Sequence, residues 1–138
     1  MSSGTAFDDA VLGYSVSSAA GISNVGLSFN GWFDGLAISS VTEDVYNGNQ
    51  LVGSAKVSCG AFGGCVKTDN ITLNGSYANL YIVKDINVTA ANGVAQASYV
   101  DQTFTATPEP GSTALLGSGL LAIAGLLRRR SILGLLKK

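Results

Sequence analysis

The chain has no histidine, and its 138 residues include only two cysteines, two prolines, one tryptophan and one methionine. Without histidine it lacks the commonest general base and metal ligand. No Gly-x-Ser-x-Gly elbow, P-loop, dinucleotide fingerprint or EF-hand loop is present. The carboxylate doublets Asp8-Asp9 and Glu43-Asp44 do not replace them, because neighbours on a strand point to opposite faces. No catalytic residue, metal site or cofactor is therefore expected, and the chain reads as a non-enzyme. Charge is scarce as well, at 12% of residues, and it is segregated. Residues 1–106 hold three lysines against eight carboxylates, a net of −5, whereas five of the chain's eight basic residues lie beyond position 127. An acidic body argues against nucleic acid as a partner, since phosphate binding needs a basic face.

What is abundant is Gly, Ser, Ala, Thr and Asn, a composition that suits an exported β-rich protein. About a hundred residues precede the first proline, enough for one small core. Strand signals dominate there. Ser23 to Phe29 alternates Val25, Leu27 and Phe29 with small residues. Leu36 to Tyr46 places Val41 and Val45 on one face and Thr42, Asp44 and Tyr46 on the other. Ser40-Val41-Thr42-Glu43 has the form of a capping box, but Asn47-Gly48-Asn49 leaves room for a single turn, so a strand is expected. Gln50 to Ser58 and Val66 to Leu73 form the next pair of strands. In Tyr77 to Ala90, Leu80, Ile82, Ile86 and Val88 share a face with Lys84. Val94 to Ala106 is the last strand. Asn30-Gly31, Asn74-Gly75 and Asn92-Gly93 are expected to turn the chain between strands. Five or six short strands predict a small antiparallel β-sandwich or meander.

Cys59 and Cys65 enclose Gly60-Ala61-Phe62-Gly63-Gly64. In an exported chain they predict a disulfide pinning a glycine-rich hairpin end; two thiols without histidine make a poor metal site. Trp32, between Asn30-Gly31 and Gly35, has two readings. Exposed beside Asp34, it would stack on a sugar; in a hairpin loop, it would fold back over the core. The Asn-x-Ser/Thr triplets at Asn70, Asn74 and Asn87 are read as turn and strand chemistry.

The C-terminal segment carries the strongest signal. Pro108-Glu109-Pro110 leads into seventeen uncharged residues from Gly111 to Leu127, followed by Arg128-Arg129-Arg130. The prolines keep the approach extended, which predicts an accessible segment over Thr107 to Pro110. The uncharged run, about 25 Å long as a helix, predicts a short membrane span, with Arg128 snorkelling to the surface. Only Ser112, Thr113 and Ser118 interrupt it, so it lacks the polar face of a core helix. The arginine cluster predicts retention on the cytoplasmic side, with the N-terminal body outside.

This arrangement of tripeptide, apolar run and arginine cluster over residues 107–130 resembles the PEP-CTERM sorting signal of Gram-negative bacteria. The resemblance implies recognition and cleavage by an exosortase-type membrane protease at Pro108, Glu109 and Pro110. It further implies membrane retention by Arg128, Arg129 and Arg130, then a place at the cell surface or in the extracellular polysaccharide. Ser131 to Lys138 departs from the family's usual ending and is expected to lie on the inner membrane surface as a short cytoplasmic tail. The body is similar to ectodomains that precede such tails, in Ser23 to Gly31, Val41-Thr42-Glu43 and Val83 to Val88. Because Met1 to Thr5 shows neither the basic start nor the apolar run of a signal peptide, the chain is expected to be a fragment or to start late. The other reading is that the C-terminal span directs insertion.

The expected organisation is a β-rich exported ectodomain over residues 1–106, a sorting signal over 107–130 with a transmembrane helix over 111–127, and a tail over 131–138. The alternatives are a glycan-binding surface module, with Trp32 as its contact, and an uncleaved single-span membrane protein.

Overall fold

The computed structural model describes residues 5–106 and 110–135, which fall into two units, Met1–Thr107 and Pro108–Lys138. In the first unit two long strands dominate: β1 (Ala6–Asn47) and β4 (Thr68–Ala106). Between them come β2 (Gln50–Gly60) and β3 (Gly64–Val66). All pairing is antiparallel, in the order β3-β2-β1-β4.

β1 and β4 pair with each other twice. Residues 6–28 of β1 run against 68–90 of β4, and residues 22–46 of β1 run against 81–106. Segment 24–28 thus has a partner on each side, 68–72 and 101–105, and segment 81–90 lies between 6–15 and 37–46. A sheet shared in this way curls, and its inner face encloses the core. Register shifts at Ser17/Ile22, Phe29/Gly31 and Leu36/Ala37 mark the bends. At the last of these Gly35 faces Gly93 across the ladder, with φ of 65° and 157°. A Cβ on either would run into backbone atoms of the other strand, so both positions need glycine.

The expectation of a mainly antiparallel β body holds, but the strands are not five or six short ones. Asn30-Gly31, Asn74-Gly75 and Asn92-Gly93 do not reverse the chain; they lie inside β1 and β4. A two-residue hairpin turn of the Asn-Gly type needs positive φ at both residues. Among the described residues no non-glycine residue has positive φ, and neither Gly31 nor Gly75 does. Continuous ladder pairing overrides the local turn preference. The chain does reverse after Asn47, where Gly48 has φ of 59°, and again at Ala61–Gly63.

The core contains most of the inner-facing residues predicted by alternation, with Val88 only half-buried, and adds Val57, Tyr14, Val100 and Phe104, which were not assigned a face. Val25, Leu27, Phe29, Val41, Val45, Val57, Leu80 and Ile82 are buried, with Tyr14, Ile86, Val100 and Phe104 packed against them. Thr42, Asp44 and Tyr46, on the opposite face from Val41 and Val45, are half-buried.

The second unit contains one helix, α1 (Pro110–Leu135). Proline suits its first position, since its fixed φ matches a helix and its missing N–H would go unpaired there anyway. The helix does not stop at the arginines. It continues through Arg128–Arg130 into the expected tail, because arginine is a good helix former and no proline follows.

Candidate functional site: the sorting segment and the body's polar clusters

Pro108 and Glu109 lie outside the described residues, while Pro110 opens α1. Beyond it, Leu115, Leu116, Leu120, Leu121, Ile123, Leu126 and Leu127 are all exposed. At 100° per residue all but Leu121 share one broad face, and the rest of the circumference is Ala, Gly and Ser118 rather than charged side chains. Such a helix has no polar face to give to water. Its neutral surface ends abruptly at Arg128, Arg129 and Arg130, which fan round one turn and are exposed. The Ser118 hydroxyl donates to the Leu115 carbonyl at 3.0 Å, so this interior hydroxyl is satisfied within the helix. Among the described residues no helix is long and apolar enough to cross a membrane.

In the body, Cys59 and Cys65 are directly opposite on β2 and β3 and are joined by a disulfide. Between them Phe62 stands 94% exposed at the hairpin tip. Trp32 is not in a hairpin loop and does not fold back over the core. It lies within β1 opposite Gln96 and is 54% exposed. On the same face, two residues away, the Asn30 amide donates to the Ser98 hydroxyl at 2.9 Å, and Lys67 Nζ donates to Asn30 at 3.3 Å. An exposed indole therefore sits beside a row of amide, hydroxyl and ammonium groups.

Sequence reasoning missed the most concentrated polar cluster, which is buried. Glu43 is directly opposite Lys84 in the ladder; the two are 0% and 5% exposed and form an ion pair. Gln102 completes the group. Its Oε1 accepts from Lys84 Nζ, and its Nε2 donates to Glu43 Oε1 at 3.0 Å. Tyr14 borders the cluster: burial, and then the Glu43 carboxylate, push its phenol up to about 12. On the outer surface Asp85 is raised from the usual carboxylate range, first by a hydrogen bond with Asp9, then by burial and by the charge of Asp9. The signal for Glu43 was present in Val41-x-Glu43-x-Val45, where a carboxylate takes its turn on an apolar face. Among the described residues no group of three or more histidine, cysteine or acidic side chains is gathered as a metal site.

Residues 106–130 match the PEP-CTERM protein-sorting motif. The chain carries that motif, which implies an exported protein processed by an exosortase. The comparison identified no enzyme family. No curated protein and no solved structure matches the chain.

Proposed function

We infer that this chain is an exported, non-enzymatic protein of the cell surface or extracellular matrix, with a body delivered by its C-terminal segment to an exosortase-type protease. The observation that carries this reading is the sequence of parts in one segment: Pro108-Glu109-Pro110, seventeen uncharged residues, and Arg128-Arg129-Arg130. Although among the described residues no helix is long and apolar enough to cross a membrane, on this reading Gly111 to Leu127 is the span. Its roughly 25 Å falls short of the ~30 Å hydrocarbon core, and local thinning plus arginine snorkelling make up the difference at modest cost. The absence of any charged side chain between Gly111 and Leu127 supports a lipid surround. Positive charge after the span keeps the C-terminus in the cytoplasm and residues 1–106 outside. Pro108, Glu109 and Pro110 are then the recognition and cleavage segment.

The test is the intact mass of the protein from its native host, with and without the protease. A mature form ending between Pro108 and Pro110 only when the protease is present is the expected result. A full-length form in both strains would make α1 a permanent anchor and overturn processing.

A second reading is favoured by one specific observation, the exposed Trp32 beside Asn30, Gln96 and Ser98. Aromatic faces stack on sugar rings, and flanking amides and hydroxyls supply the hydrogen bonds. On this reading the body binds extracellular polysaccharide. Glycan-array binding that disappears in Trp32→Ala with the fold intact would support it; no binding by the parent protein would end it.

A further inference from the structure

Glu43, Lys84 and Gln102 form a closed triangle of contacts. One carboxylate oxygen takes the ammonium, the other takes the amide NH2, and the ammonium touches the amide oxygen. Here a nucleophile, an acyl carbon and a two-oxygen proton carrier are held together on the inner face. The pleat surrounds them with hydrocarbon: Val41 and Val45 flank Glu43, Ile82 and Ile86 flank Lys84, and Val100 and Phe104 flank Gln102. Leu27 lies opposite Gln102 in the ladder.

We propose that Lys84 and Gln102 become joined by an intramolecular isopeptide bond, with Glu43 as the proton carrier. A proton passing from Lys84 Nζ to Glu43 along their direct contact leaves a free amine lone pair and a neutral acid. The amine attacks Gln102 Cδ. Glu43 Oε1, already hydrogen-bonded to Nε2, returns the proton to that nitrogen, which departs as ammonia when the Cδ–Nε2 bond breaks. The new amide nitrogen sheds its extra proton to Glu43, and the departing ammonia carries it away as ammonium. One C–N bond forms and one breaks, the carboxylate is regenerated, and no oxidant, reductant or water is consumed. A slow bimolecular aminolysis becomes feasible here because the fold holds the groups in contact, with Glu43 and Lys84 withdrawn from water and Gln102 half-buried.

The bond would close a loop within β4 and tie its last segment, 101–105, to the segment 81–90. A small body that lives outside the cell gains a second covalent staple, besides Cys59–Cys65, that reductants do not cleave. This inference is independent of the sorting reading.

The experiment is intact and peptide-level mass spectrometry of the full chain, purified folded and then reduced. The expected result is a mass lower than the sequence requires by one ammonia, and a branched peptide that joins the segments containing Lys84 and Gln102. A full-mass protein with both peptides separate, after prolonged incubation in the folded state, overturns the proposal. So does a loss of ammonia that maps to an Asn-Gly pair, where backbone succinimide formation has the same mass. The Glu43→Gln variant should drop the branched peptide below detection, and its persistence there would remove Glu43 from the reaction.

Discussion

Glu43 and Lys84 face each other directly across two antiparallel segments, and both side chains are withdrawn from water. In the chain before any Lys84–Gln102 bond forms, removing one partner leaves the other charge buried and uncompensated, at a cost of about 3–5 kcal/mol. Glu43→Ala and Lys84→Met should each lower stability by that order. The double variant Glu43→Leu/Lys84→Met should recover most of the loss, since apolar residues replace the whole pair. Denaturant unfolding followed by far-ultraviolet circular dichroism provides the comparison.

Asp9 and Asp85 offer a pH-dependent contrast on the outer surface. The folded state raises the Asp85 pKa, so its favourable contribution is full below the unfolded value of 3.8 and is lost as pH rises through the raised value. Asp9→Asn should therefore stabilise the protein at neutral pH and change little in strong acid. Thermal melts at the two pH values measure this, and an equal shift at both would contradict it.

Tyr14 governs the alkaline side. Unfolded tyrosine ionises near 10.0, whereas the folded side chain holds its proton to about 12. Stability should fall across that window as the unfolded state releases its proton first. Tyr14→Phe should flatten the alkaline decline, as read from denaturation midpoints against pH.

Gly35 is a backbone requirement. With φ of 65° and the Asn92 carbonyl where a side chain would begin, Gly35→Ala should cost about 1–3 kcal/mol. Gly48→Ala is the control. Its φ is similar, at 59°, but nothing lies within 4 Å of the added carbon, so its cost should be smaller.

The Cys59–Cys65 bridge closes a short loop, and in the chain-entropy model its loss should cost roughly 2–3 kcal/mol. The Cys59→Ala/Cys65→Ala variant should unfold at correspondingly lower denaturant. Cys59 is buried and Cys65 exposed, so a small packing loss at Cys59 adds to the effect.

Alternation revealed the inner face, because burial in a strand is a local property with a period of two residues. Val41, Val45, Leu80 and Ile82 were legible for that reason, and so was the placement of Lys84 among them. Which strand lies against which is not local. Glu43 and Lys84 are 41 positions apart, and nothing in either segment names the other. The Asn-Gly pairs misled for the same reason: their turn preference is worth little against unbroken ladders on both sides. Of the two readings of Trp32 the exposed one matches the structure, because position 32 falls on the outward beat of its strand, whereas burial over the core is only a tendency of aromatics. The sorting segment was legible throughout, since charge, length and order are written directly in the chain.

The double pairing of β1 with β4 also sets a timetable. Segment 24–28 is among the earlier parts of the body to emerge if the chain leaves the cell N-terminus first, yet one of its two neighbours is 101–105. Residues 37–46 likewise wait for 81–90. Half a chain therefore has no finished half-structure to settle into, and the sheet can close only when the final segment arrives. That segment immediately precedes Pro108-Glu109-Pro110, so on the proposed route completion of the body and presentation of that tripeptide would fall at the same moment of passage.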